Sequence, residues 1–174
     1  MLNIIFIASG LILLFIITFL KYEYDKEKQH KEKLKQQNIS IEIPLIHLGG
    51  HPYLQSGDRV FLQLQNNKTI YFHKENTDTG NKILITQLTR YEIKTESEIH
   101  KDVTLTRLLA LGIFAFGIKK KTEINNQYLI LSYNQNNVEI NCLFQYYGDS
   151  RELGNLISIL NKIKIESIQN NSII

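Results

Sequence analysis

The chain has 174 residues, 43% of them hydrophobic and 21% charged, with a formal net charge of +3. So mild a charge excludes the basic face of a nucleic-acid-binding protein. A single cysteine, Cys142, excludes an internal disulfide and any metal site built on several thiolates.

Asn3–Leu20 is an almost unbroken apolar run without charge or proline. About 20 such residues at 1.5 Å each match a hydrocarbon core of about 30 Å. No Lys or Arg precedes Ile4, and no small-residue cleavage pattern ends the run, which disfavours a cleaved signal peptide. The expectation is a transmembrane anchor over 1–20. Lys21, Lys26, Lys28, Lys31, Lys33 and Lys35 follow it. By the positive-inside rule they place the C-terminal part in the cytoplasm and the N-terminus outside, giving a single-pass cell-membrane protein. Residues 21–38 lack Gly and Pro and carry helix formers, including a Glu27/Lys31 pair. They are expected to form a charged helical stalk.

Residues 39–167 read as one domain. Ile39–Leu48 is apolar but holds Pro44, which predicts an edge or approach strand. Gly49-Gly50-His51-Pro52 and Gln55-Ser56-Gly57-Asp58 are turn signals. Arg59–Gln65 and Lys68–His73 alternate and predict a hairpin, with Val60, Leu62 and Leu64 on its apolar face. Thr77–Asn81 reads as a loop tip and Lys82–Thr86 as a short strand; Arg90–Thr95 alternates again. Leu108–Ile118 is a second apolar block, too short to span a bilayer and interrupted by Gly112 and Gly117. It is a core segment or an interfacial one, the latter with Arg107, Lys119, Lys120 and Lys121 as candidate lipid contacts. Gln127–Tyr133 and Val138–Gln145 predict a second hairpin, with Cys142 facing the core and Leu143 on the opposite face with Glu139, Asn141 and Gln145. Leu153, Leu156, Ile157, Leu160 and Ile163 mark one stripe of a closing helix. Asp149 and Ser150 offer its N-cap, with Glu152 placed for a capping box on Asp149. Residues 168–174 are expected to be a flexible tail.

About seven strands and a C-terminal helix predict an α+β domain. Three stretches carry a resemblance to the bacterial pleckstrin-homology-like (PH-like) domain family, over roughly Ile43–Ile165. They are IPLIHLGGHPYLQSGDRVFLQL, VTLTRLLALGIFAFGIKKK, and YLILSY followed by VEINCLFQY and the final helix. The resemblance implies a bent antiparallel β-barrel of seven strands capped by the helix. It also implies binding of proteins, peptides or lipids rather than catalysis.

No catalytic residue, cofactor site or metal site is assigned. His47, His51, His73 and His100 have no metal-ligand spacing, since Gly49, Gly50 and Pro52 keep His47 and His51 off a helix face. Gly49-Gly50 lacks the Lys-Ser/Thr of a phosphate loop, and no serine sits in a G-x-S-x-G elbow. The functional expectation is a membrane-anchored module that engages a protein partner. The alternative is binding of anionic lipid through residues 108–121.

Overall fold

The computed structural model describes residues 2–74, 77–99, 101 and 127–171. The chain divides into two compact units, Met1–Ile39 and Ser40–Ile174.

The first unit is a helix, α1 (Leu2–Gln36), that runs without a break from the apolar run into the charged stalk. Lys31 pairs with Glu27 one turn earlier on its surface. The helix ends where Asn38 adopts φ 58° and donates its N–H to the Lys35 carbonyl, a left-handed stop that Asn tolerates. Among the described residues, no helix is long and apolar enough to cross a membrane. This corrects the expected transmembrane anchor, and with it the single-pass cell-membrane localisation and the orientation read from the lysines. The large apolar side chains between Ile12 and Leu20 are 47–71% exposed, so within its own unit this part of α1 buries no face.

The second unit is a seven-stranded antiparallel sheet with a C-terminal helix. Its strands are β1 (Ile39–Gly49), β2 (Arg59–Gln65), β3 (Thr69–Lys74), β4 (Thr77–Leu84), β5 (Leu88–Thr95), β6 (Gln127–Gln135) and β7 (Val138–Tyr146). They lie in the order β4-β3-β2-β1-β7-β6-β5, an open sheet with β4 and β5 at its ends. The closed barrel expected from the resemblance is therefore corrected to an open sheet. A 3-10 turn (Ile85–Gln87) joins β4 to β5, α2 (Glu96–Ile99) follows β5, and α3 (Ser150–Asn171) closes the chain.

The expected hairpins are present with inward side chains directly opposed. Leu62 faces Phe72 and Leu64 faces Ile70 across β2–β3; Leu129 faces Phe144 and Leu131 faces Cys142 across β6–β7. The tight β6–β7 turn uses Asn136 and Asn137 at φ 52° and 64°, the paired left-handed conformation that suits strand twist. Opposed residues bury together with Ile43, Leu45, Val60, Ile83 and Tyr133 in one core, completed by Leu153, Leu156 and Leu160 of α3. Each such side chain contributes about 1.5–3 kcal/mol on burial.

Three local expectations change. β1 is an interior strand despite Pro44. Its first half lies beside β2, where Ser40 Oγ donates to the Leu64 carbonyl at 2.8 Å, and its pairing with β7 begins at Leu45. Pro44, which has no N–H to give, thus sits just before the pairing with β7 begins. The expected loop tip at Thr77–Asn81 is part of β4, paired with β3 through Thr77↔Lys74 and Asp78↔His73. Leu143, expected on a polar face, is fully buried with Tyr128, Ile130 and Ile99 in a second cluster, against which Leu48 packs. The β6–β7 part of the sheet is thus apolar on both faces.

Of the two N-cap candidates Asp149 caps α3, accepting the Arg151 backbone N–H at 2.9 Å. Glu152 does not complete a capping box. Its carboxylate accepts from the Tyr146 hydroxyl at 3.0 Å, and the same hydroxyl donates to the Asp149 carbonyl at 2.7 Å. The helix continues to Asn171.

Candidate functional site

Two places in the sheet unit concentrate polar chemistry. The first is the sheet end at β5. Among the described residues β5 has a strand neighbour, β6, on one side only. The helix α3 packs beside it. The Tyr91 hydroxyl donates to Asn161 Oδ1 at 2.8 Å, and the Lys164 ammonium lies 5.4 Å from the Tyr91 ring centroid. Lys164 also donates to the Leu88 carbonyl at 3.2 Å. Tyr91 and Ile93 are half-buried on the core side, as are Ile157 and Ile163 of α3. On the other face Arg90 makes a two-bond pair with Glu92 at 2.8 and 3.0 Å, and Lys94 lies 3.7 Å from the same carboxylate. Those bonds hold the Glu92 carboxyl below the usual carboxylate range, the Arg90 bond being the largest cause. At the end of the strand, the Thr95 N–H donates to Glu98 Oε2 of α2 at 2.7 Å.

The second place is the loop joining β1 to β2, where the two turn signals fold around a pair of buried histidines. His47 Nδ1 is 2.9 Å from the Gln55 carbonyl, and His47 Nε2 is 3.2 Å from the His51 backbone N. A carbonyl only accepts and an amide N–H only donates. His47 is therefore neutral, with its proton on Nδ1. His51 Nδ1 in turn accepts the Tyr53 N–H at 3.3 Å, which puts the proton of neutral His51 on Nε2. The two rings meet edge to face at 6.2 Å, and they rest on Phe72 and Phe144, which stack on each other at 4.9 Å. Backbone bonds close the loop: His47 N–H to the Asp58 carbonyl and Gly57 N–H to the His47 carbonyl, both 2.8 Å. The Asp58 carboxylate accepts from the Gln55 N–H at 2.9 Å and from Lys74 at 2.7 Å. Pro52 and Tyr53 are left exposed at the tip.

Burial pushes the His47 ring below its ordinary pKa, against the opposing pull of the Gln55 bond. Burial, with the neighbouring His47, brings His51 down to about 4.

Of the residues singled out from sequence, Arg107, Lys119, Lys120 and Lys121, with the block 108–118, lie outside the described residues, as does His100. Cys142 is buried in the core, and burial pushes its thiol well above the ordinary range. Among the described residues no group of three or more His, Cys, Asp or Glu is placed to hold a metal ion. In the sequence His47 and His51 stand out only as metal-ligand candidates. The signal that could have found their role is the Gly-Gly between them and their apolar neighbours, which together mark a loop folded inward. Compared with protein-family models, curated proteins and solved structures, the chain shows no match in any of the three.

Proposed function

We propose that the sheet unit is a non-catalytic binding module that takes an extended segment of a partner protein along β5, beside α3. The observation that carries this reading is the end position of β5 in an open sheet. Such an edge presents backbone N–H and C=O groups to an incoming strand, which supply affinity, while adjacent side chains supply selectivity. Arg90, Glu92 and Lys94 give that edge charges of both signs, which guard it against pairing with copies of itself and let it discriminate among segments. Support for a binding role over catalysis comes from the reactive-type side chains. The Cys142 thiol is buried, and both ring nitrogens of His47 are engaged in structural bonds. The PH-like resemblance points the same way, and it rests on sequence pattern alone.

The test is selection of binders from a displayed library of random peptides, followed by amide chemical-shift mapping on the intact chain. Expected are extended peptides that perturb Leu88–Thr95 and the facing side of α3, and that lose affinity at least tenfold on Ile93→Lys. Selected peptides that map elsewhere, or no peptide bound at all, would sink the reading.

A further inference from the structure

Two of the bonds that hold the β1–β2 loop exist only while its histidines are uncharged. His47 Nε2 and His51 Nδ1 are both acceptors, each receiving a backbone N–H from the loop itself. Both side chains are buried, 1% and 4% exposed. A protonated ring nitrogen has no lone pair, so each acceptor bond is lost on protonation and replaced by two N–H groups facing one another. From these contacts we propose that the Gly50–Asp58 loop is an acid-released latch, which opens when the His47–His51 pair takes up protons and so changes how Pro52 and Tyr53 are presented.

The surroundings favour release over accommodation of the charge. From β3 the pair meets the Phe72 ring, and from β7 the Phe144 ring; neither supplies a counter-charge. The titratable and charged groups nearby are Asp58 and Tyr53 in the loop, Lys74 of β3, and the Cys142 thiol of β7. The Gln55 and Gly49 carbonyls and Asp58 favour a charged His47, but burial outweighs them, and Asp58 is already bound by Lys74 and by the Gln55 N–H. Lys74 repels a charged imidazole. Burial pushes the Cys142 thiol up, so it supplies no charge in acid. Opening returns each ring to water and to its ordinary pKa of about 6.5. Between that pH and the value of about 4 for buried His51, the open-to-closed ratio rises tenfold per pH unit for that histidine alone, a total of roughly two orders of magnitude. His47 acts in the same direction.

The experiment is residue-resolved amide hydrogen exchange of the full chain from pH 7.5 to 4, corrected for intrinsic rates, alongside ring 15N shifts of the histidines. Protection of the His51, Tyr53 and Gly57 amides is expected to fall at least about a hundredfold across the range. The Leu131 and Cys142 amides of β6–β7 should keep theirs. In His51→Asn the side-chain oxygen offers an acceptor near the Nδ1 position and cannot titrate, and the loss should shrink to the share of His47. Loop protection that is constant with pH, or that falls only together with β6–β7, overturns the proposal. So does a His47 ring that carries its proton on Nε2, or that titrates near 6.5 in the folded protein; this readout needs no variant.

Discussion

Gly50 lies with its backbone pressed against the Asn141 carbonyl. A Cβ at position 50 would stand 1.7 Å from that oxygen and 2.8 Å from its carbon, and the residue holds φ +93°. Loop and β7 therefore meet backbone to backbone, which brings His51 over Phe72 and leaves only glycine possible at this point.

Gly50→Ala should accordingly cost at least about 3 kcal/mol, combining an unfavourable φ with a clash against backbone that cannot rotate away. The control is Gly154→Ala on α3, where an added Cβ meets nothing within 4 Å. That change should stabilise the protein by about 0.5–1 kcal/mol through helix propensity. Urea denaturation of the two variants checks the pair. Equal effects would mean that the loop does not approach β7 as described.

What the sequence made legible, and what it hid, divides along the same line. The hairpins β2–β3 and β6–β7 and the α3 stripe are local periodicities, and residues such as Leu62, Cys142 and Leu160 fell on the face their spacing indicated. The interior place of β1 was hidden, because Pro44 reads locally as an edge signal and its tolerance depends on lying just outside the ladder with β7. Leu143 was hidden because alternation assumes one wet face, whereas this part of the sheet is covered on both. The histidine pair was hidden because its bonds depend on how a nine-residue loop, Gly50–Asp58, folds back, which no spacing rule encodes. The apolar run of α1 reads as a span from its length and hydropathy, whereas among the described residues no helix is long and apolar enough to cross a membrane.

Tyr146 ties β7 to the start of α3 by donating to the Asp149 carbonyl, while its ring fills the space that a side chain at Gly148 would need: an added Cβ there would lie 2.3 Å from the hydroxyl. Tyr146→Phe keeps the ring and removes the donor, leaving the carbonyl and Glu152 without it, and should cost about 1–2 kcal/mol. Burial and the neighbouring Glu152 and Asp149 raise the Tyr146 hydroxyl above its ordinary pKa. The raised value makes the stabilisation fully present below about pH 10 and lost as pH climbs beyond it. Alkaline unfolding followed by near-ultraviolet circular dichroism should thus be less steep in the Phe variant.

Cys142 is the natural reporter of core opening. It is fully buried opposite Leu131 and its thiol is held protonated by desolvation. Ellman's reagent should modify it at least about a thousandfold more slowly in the native protein than in urea, because attack needs both exposure and a thiolate. Fast labelling of the native chain would show that β6–β7 opens far more readily than its packing implies.

Acid should weaken the fold before the carboxylates titrate. His51 has a folded-state pKa of about 4 against about 6.5 when unfolded, so the unfolded chain binds the proton first. Stability is complete above about pH 6.5 and declines as pH falls towards 4, by roughly 2–3 kcal/mol if the loop stays closed in the native state. If the loop opens locally, the native state also gains access to the ordinary pKa. The decline then levels off once the loop is open, at the free energy that holds it shut. Urea midpoints taken every half pH unit distinguish the two shapes. In His51→Asn the decline above pH 4.5 should be reduced to the contribution of His47. Asp58, Glu92 and Asp149, all held below the usual carboxylate range, lose their own contributions only at lower pH.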